Sequence, residues 1–229
     1  MKLLFAATVT LFVVALRSSA QNVPDYHDLE KRMTDQQLVE CLSDKPTNCP
    51  IPDQDRDLDL IAGTLGQRKH PDLLISTYRN ADHYQRYYLV RALWMINSPR
   101  VTEFMRSIAF ENLPEGQDND DVFFPLDYLA RHCDQRALAR LSRRVNVEKF
   151  FPMGCLYWAP TMESFVRCNY RPAAQSLVLS LHAACGNITD AAEEGLHKFF
   201  PHACKQAHSI EEQEHCYTKL LQDNAANPQ

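Results

Sequence analysis

The chain has 229 residues, of which 24 are Lys or Arg, 29 are Asp or Glu and 45% are apolar, and this length suits one domain with a sizeable core. The net charge of −5 argues against nucleic acid or an anionic membrane as the main partner, because both reward basic surfaces. Only 6 glycines are present, which is low for a sheet protein with many tight turns, and the apolar spacing favours helices. We therefore expect a nearly all-α protein.

Residues 1–20 have the layout of a cleaved secretory signal. Lys2 precedes an apolar run from Leu3 to Leu16, and a small-residue end follows up to Ala20. The run of about 14 residues is shorter than the roughly 20 that a membrane span needs. We therefore expect cleavage after Ala20, a secreted or periplasmic protein and no membrane span. Losing Lys2 and Arg17 would leave 24 − 2 = 22 basic against 29 acidic residues, a net charge of −7.

All 8 cysteines follow the signal, and an even number in an exported chain is typical of disulfides. Many pairings are possible, but two local ones are indicated. Cys41 and Cys49 flank a turn that contains Pro and Asn, and Cys204 and Cys216 are placed to join two short helices. The remaining four are expected to pin later helices: Cys133, Cys155, Cys168 and Cys185.

Residues 21–57 are predicted to form one amphipathic helix, Tyr26 to Leu42, followed by a disulfide turn. Asp53 to Asp59 superficially resembles a calcium-binding loop, which needs glycine at the sixth position and glutamate at the twelfth. Leu58 and Thr64 stand at those positions. We interpret the acidic run instead as the first turn of the next helix, since carboxylates are favourable at a helix N-terminus.

Residues 58–223 are predicted to form a domain of helical hairpins. One pattern recurs three times: an apolar run ends in leucine, a polar turn follows, and a second run opens six positions after the leucine. The leucines are Leu65, Leu93 and Leu129, and the opening residues are Pro71, Pro99 and Gln135. Proline is tolerated there because the first helical amide has no partner anyway.

The apolar periodicity sets the expected helices. They are Leu58–Leu65 with a partner from Pro71, Asp82–Ile96 with Val101–Phe110, Val122–Arg131 with Gln135–Val145, Ala173–Ala184 with Ile188–Phe200, and Gln206–Asp223. We interpret the apolar stripes as core packing, with Tyr88 facing inward and Tyr84 and Tyr87 flanking it. Leu113 to Asp121 is the clearest loop, and residues 224–229 are a polar tail.

The stretch from Leu58 to Arg143 resembles HEAT-like repeats, the paired antiparallel helices of α-solenoids. The resemblance is carried by Leu65–Leu74, Leu89–Met105 and Leu126–Leu141. It implies a curved stack of hairpins and a role in protein–protein scaffolding, with no single activity. We therefore expect a protein partner and no cofactor.

Residues 146–172 depart from the pattern, because aromatic residues, three prolines and two cysteines crowd them. One interpretation is an irregular insert that packs on the end of the repeats and is held by disulfides. The other is an aromatic groove that binds a small ligand.

The predicted helix Gln135–Val145 carries a basic stripe, Arg136, Arg140, Arg143 and Arg144. The stripe has two interpretations, a solvated face or a docking face for an anionic partner.

The C-terminal third holds the candidate metal ligands. Five of the nine histidines fall between His182 and His215. Zinc or copper would be bound by His182, Cys185, His202 and Cys204. No HExxH, GxSxG or P-loop motif occurs, so we expect no catalytic residue. The preferred function is an exported scaffold, and the alternative is a metal-dependent enzyme or metal-binding protein. Asn187-Ile-Thr189 also matches the acceptor for N-glycosylation in a eukaryotic secretory pathway.

Overall fold

The computed structural model describes residues 26–111, 122–148 and 155–226, and these ranges contain twelve α-helices, two short 3₁₀ helices and no strand. The predicted all-α class is therefore confirmed. None of the helices described is long and apolar enough to cross a membrane. The predicted signal and the loop from Leu113 to Asp121 lie outside the described residues.

The chain divides into two compact units between Ala92 and Leu93. The helices of the first unit are α1 (Tyr26–Arg32), α2 (Asp35–Cys41), a 3₁₀ helix (Asp53–Asp55), α3 (Leu58–Arg68), α4 (Pro71–Tyr78) and most of α5 (His83–Trp94). Those of the second unit are α6 (Pro99–Glu111), α7 (Phe123–Arg131), α8 (Gln135–Glu148), α9 (Cys155–Arg167), a 3₁₀ helix (Arg171–Ala173), α10 (Ala174–Ser180), α11 (Gly186–Phe199) and α12 (Ile210–Ala226).

The N-terminal segment contains two helices where the sequence predicts one. The Gln37 N–H donates to Thr34 Oγ1 at 3.3 Å, and the Thr34 N–H donates to the Gln37 side chain at 2.9 Å. This reciprocal capping box starts a new helix, so the prediction of a single helix from Tyr26 to Leu42 is wrong.

The acidic start of α3 is confirmed, because Asp57 Oδ1 accepts the Leu60 N–H at 3.0 Å.

Arg68, at the end of α3, holds the first two helices. Its guanidinium donates to Asp35 Oδ1 and to the Met33 carbonyl, each at 2.7 Å. His70 also contacts the Asp35 carboxylate. Burial raises the pKa of the Asp35 carboxyl, but the hydrogen bonds and charges of Arg68 and His70 outweigh it and hold that pKa below its usual value.

We expect acid to weaken the first unit through Asp35. Because its pKa is lower in the folded than in the unfolded chain, the carboxylate contributes stability above the unfolded pKa of roughly 4 and loses it as pH falls further. Asp35→Asn should lower the free energy of unfolding at neutral pH and flatten its decline between about pH 5 and pH 2. Urea denaturation at a series of pH values measures this, with the exposed Asp55→Asn as the matched control. An unchanged acid dependence in Asp35→Asn would contradict the assignment.

The helices of the second unit contact one another in two alternating series. In one series α7 packs on α9, and α9 packs on α11; in the other α8 packs on α10, and α10 packs on α12. Neighbours along the chain also pair, namely α6 with α7, α7 with α8, and α10 with α11. Each interior helix is therefore held both by a sequence neighbour and by the helix two places along.

The pairing of α9 with α11 is the most extensive and depends on Gly195. A Cβ atom at this position would lie 2.7 Å from Val166 Cγ2 and 2.7 Å from Leu177 Cδ1. No real Cβ tolerates such distances without movement of its neighbours, and overpacking of a core is destabilising. The missing side chain thus lets α11 approach both α9 and α10.

The stretch predicted as an irregular insert contains the regular helix α9, which covers 13 of its residues. Trp158 and Phe165 are completely buried, and the Trp158 ring meets Phe123 edge-to-face at 5.4 Å. Pro160 lies inside the helix without ending it. The prediction of irregular structure is wrong for Cys155–Arg167, because these residues form a regular helix. The burial of Trp158 and Phe165 also removes them from any open ligand groove; residues 149–154 lie outside the described residues.

Three disulfides join described cysteines. Two are the local pairs that the spacing predicts, Cys41–Cys49 and Cys204–Cys216. The third, Cys133–Cys168, joins the residues that follow α7 and α9. Three disulfides in a chain of this size fit an oxidising compartment.

The helices α7 and α9 end in the same way. The Asp134 N–H donates to the Leu129 carbonyl at 3.0 Å, and the Tyr170 N–H donates to the Phe165 carbonyl at 2.9 Å. The residue before each donor is left-handed, with φ of 58° and 49°. This is the Schellman arrangement. The two copies are 165 − 129 = 36 positions apart, which matches the spacing of the second and third leucine patterns.

Basic side chains of the second unit satisfy the carbonyl groups at the ends of earlier helices, which have no partner within their own helix. Three such hydrogen bonds are present: Arg140 to the Ala109 carbonyl at 2.7 Å, Arg167 to the Arg131 carbonyl at 2.9 Å, and Lys198 to the Val166 carbonyl at 2.9 Å. The predicted basic stripe on α8 is therefore not a single exposed face, because Arg140 and Arg144 are buried.

Candidate protein-interaction surface

The predicted metal ligands do not come together. Cys185 and Cys204 are both disulfide-bonded, so neither offers a thiolate. His182 Nε2 instead lies 2.9 Å from Glu214 Oε2, and His202 is exposed. Within the three described ranges, no three His, Cys, Asp or Glu side chains are placed to hold one ion. Disulfide formation is the physical reason, because it takes the sulfur atoms that the metal would need.

A groove of about 290 Å³ lies between α9 and α11. Its lining residues are Glu163, Val166, Arg167, Ala191, Glu194 and Lys198. Arg167 and Lys198, the basic residues in this set, donate to backbone carbonyls at helix ends. The charged groups therefore serve the ends of α7 and α9 and do not converge on a ligand position.

Asp127 of α7 is a carboxylate in the core of the second unit, only 1% exposed. Trp94 Nε1 donates to its Oδ2 at 2.8 Å, and Thr161 Oγ1 donates to its Oδ1 at 3.3 Å. Arg131 Nε lies 2.8 Å from Oδ2 as a charge contact without a well-aligned hydrogen bond. The Arg131 guanidinium also lies 3.9 Å from the centre of the Trp94 ring.

This Asp127 cluster is structural. Burial raises the pKa of the Asp127 carboxyl, although Arg131, Trp94 and Thr161 all favour its charged form. The carboxylate is closed to any substrate and links the end of α5 with α7 and α9. The Asp127 cluster is not predicted from sequence, because Asp127 stands within an otherwise apolar run. Its sequence signal is the four-residue spacing to Arg131, which places both side chains on one helix face.

Three neighbouring tyrosines of the first unit lie on α5 with part of their surface open to solvent. Tyr84 is 42% exposed, and Tyr87 and Tyr88 are half-buried. The Tyr88 ring meets Tyr84 edge-to-face at 5.3 Å and Tyr87 edge-to-face at 5.1 Å. We call these three residues the tyrosine face. Their mutual contacts hold the rings in place while part of each stays open to solvent.

The electrostatics of the tyrosine face are set by arginine. The Arg91 guanidinium lies 5.9 Å from the centre of the Tyr87 ring and forms an ion pair with Asp59. Burial raises the pKa of the Tyr88 hydroxyl, and Tyr84 and the Asp59 charge raise it further. The Tyr88 hydroxyl is therefore neutral at physiological pH.

The prediction for the inward face of α5 is wrong in part. Tyr88, predicted to face inward, is only half-buried, whereas Leu89 and Leu93 are completely buried. A helical period identifies which residues share a face, but it does not show which face another helix covers. The sequence signal that favours the observed arrangement is the difference between the two side chains. Tyrosine has a polar hydroxyl that can stay in water, whereas the leucine side chain is entirely apolar.

No protein-family model matches the chain, and no curated protein matches it.

Proposed function

We propose that this chain is an exported helical-repeat protein of HEAT-like organisation that acts as a protein–protein interaction module, and that it binds its partner through the tyrosine face of α5. The observation that carries the proposal is the exposure of Tyr84 beside two further tyrosines and Arg91. Tyrosine and arginine are the residues most enriched at the energetic centres of protein interfaces.

Three observations on the second unit support the repeat organisation. The alternating contacts of α7, α9 and α11 and of α8, α10 and α12 are those expected when helical hairpins stack on one another. The Schellman ends of α7 and α9 recur at 36 positions. The downstream basic side chains provide similar bonds to the ends of three helices.

The partner proposed for the tyrosine face is a protein segment with apolar and acidic side chains. The twelve residues of α5 contain two arginines and no acidic residue, in a chain whose net charge is −5. Opposite charge favours encounter and orientation at an interface, while the tyrosine rings supply contact area at low conformational cost.

The metal-dependent enzyme is not favoured as a second function. It would need Cys185 and Cys204 as ligands, and both form disulfides. The remaining histidines of the C-terminal third then have no shared centre among the described residues.

We expect Tyr84→Ala combined with Tyr87→Ala to weaken partner binding by ~30-fold or more, the loss that follows from a hot spot of about 2 kcal/mol. A photo-reactive residue in place of Tyr84 would first capture the partner from the native extracellular fluid, and mass spectrometry would identify it. Calorimetric titration of the purified pair then gives the dissociation constant. Near-UV circular dichroism would establish that the variant keeps its fold.

Tyr170→Ala is the matched control, because Tyr170 is a partly exposed tyrosine outside the tyrosine face, packed against Phe165. The proposal predicts that this control binds like the unchanged protein. Equal affinity of the Tyr84/Tyr87 variant and the unchanged protein would overturn the assignment of the surface. If no position on α5 crosslinks to a protein, the binding role itself is overturned.

A further inference from the structure

Asn187 begins the only Asn-X-Ser/Thr sequence among the 229 residues, with Ile188 in the middle and Thr189 in the third position. It lies in the first turn of α11, two positions after the disulfide-bonded Cys185. None of the contacts that support the tyrosine face or the Asp127 cluster involves this residue.

The three residues of the sequence have different environments. Asn187 is exposed, whereas Ile188 is buried in the core. The Asn187 carboxamide makes no hydrogen bond with the described residues. A Cβ added to the preceding Gly186 would meet no atom within 4 Å, so the space beside Asn187 is open. Thr189 Oγ1 donates to the carbonyl groups of Ala183 and Cys185 at 3.3 and 3.5 Å.

We propose that Asn187 is N-glycosylated during export. The sugar donor is a lipid-linked oligosaccharide diphosphate. The Asn187 amide nitrogen forms a bond to the anomeric carbon, the bond from that carbon to the diphosphate oxygen breaks, and the amide loses one proton. The inference rests on the export that the proposed function includes, and it adds a modification that the binding role does not require.

The folded structure accommodates the product without rearrangement. A glycan on Asn187 would project from an exposed turn, and no hydrogen bond of the carboxamide would have to break. The buried Ile188 beside it keeps the start of α11 fixed while the sugar remains in solvent. An attached glycan would also keep this end of α11 from serving as a protein-docking surface, because bulky hydrated sugars cover it.

The test is the mass of the full chain secreted from a eukaryotic cell, before and after treatment with an amide-cleaving glycosidase. Release of the glycan converts Asn187 to aspartate, and peptide mapping locates that change. The unchanged protein and Thr189→Ser should both carry the glycan, since serine keeps the acceptor sequence and the hydroxyl group. Asn187→Gln and Thr189→Ala should both lose it. Asn224→Gln, an exposed asparagine outside any acceptor sequence, is the matched control and should keep it.

The N-terminus of the product separates the two proposals. An unglycosylated chain that starts at Gln21 would overturn the inference on Asn187 and leave export standing. An unglycosylated chain that keeps residues 1–20 would overturn both. Because Thr189→Ala removes the acceptor without changing Asn187, agreement of the two loss variants excludes a folding defect of Asn187→Gln as the cause.

Discussion

Asp127→Ala is expected to lower the free energy of unfolding of the second unit by about 3–5 kcal/mol, the range for removing one partner of a buried ion pair. The substitution leaves the Arg131 guanidinium without its carboxylate and the Trp94 Nε1–H and Thr161 hydroxyl without their acceptor. Each of these groups then faces the alanine methyl group and the cavity that the substitution leaves. A buried donor without an acceptor is strongly unfavourable.

Asp127→Asn distinguishes the contribution of shape from that of charge. The amide keeps an acceptor for Trp94 and nearly the same volume, so its effect should be clearly smaller than that of alanine. Asp134→Ala is the control, because Asp134, at the start of α8, also pairs with an arginine, the exposed Arg106, and its side chain is less buried than that of Asp127. Its effect should be about 1 kcal/mol, as for the loss of a helix cap.

Urea denaturation of the disulfide-intact proteins measures all three variants. Near-UV circular dichroism would follow Trp94 and Trp158, the two tryptophans of the chain. Equal effects of Asp127→Ala and Asp134→Ala would contradict the assignment of a buried, partner-dependent carboxylate.

Replacing both Cys133 and Cys168 with serine is expected to destabilise the protein by about 4 kcal/mol. The disulfide closes a loop with a sequence separation of 35, and restriction of the unfolded chain grows with loop length. The same relation gives only about 2.5 kcal/mol for Cys41–Cys49, whose separation is 8. The longer loop should therefore have the larger effect, and it also connects the matching ends of α7 and α9.

Thermal unfolding at equal pH and salt compares the two double variants. Alkylation and intact mass must show that the other cysteines remain paired in each, so that rearranged disulfides do not enter the comparison. A smaller loss for Cys133/Cys168 than for Cys41/Cys49 would contradict an effect that acts through the unfolded chain.

Three helix starts could be predicted because they depend on local chemistry. Pro71, Pro99 and Gln135 begin α4, α6 and α8 as the recurring leucine pattern indicates, since a first-turn amide needs no partner. The break at Thr34 is also local, because the sequence contains the Thr-x-x-Gln signature of a capping box. It was missed because the apolar spacing continues through it.

The candidate site could not be predicted in the same way, because it depends on which surfaces other helices cover. Periodicity places Tyr88 on the inward face of α5, yet Tyr88 is half-buried while the adjacent Leu89 is completely buried. Asp127 is a similar case: its burial is stable only because Trp94 and Thr161, 33 and 34 positions away, supply donors. Such partners come from tertiary packing, which sequence spacing does not reveal.

The hydrogen bonds from Arg140, Arg167 and Lys198 to earlier helix ends all run from a later to an earlier part of the chain. Each donor follows its acceptor by 31, 36 or 32 positions. The carbonyl group at the end of a helix therefore gains this donor only after a later helix has been synthesised. During synthesis from the N-terminus, the end of α7 would stay open until α9 emerges from the ribosome, and the end of α9 until α11 emerges. A C-terminal truncation that removes Lys198 therefore uncovers the end of α9, although α9 still has its full sequence.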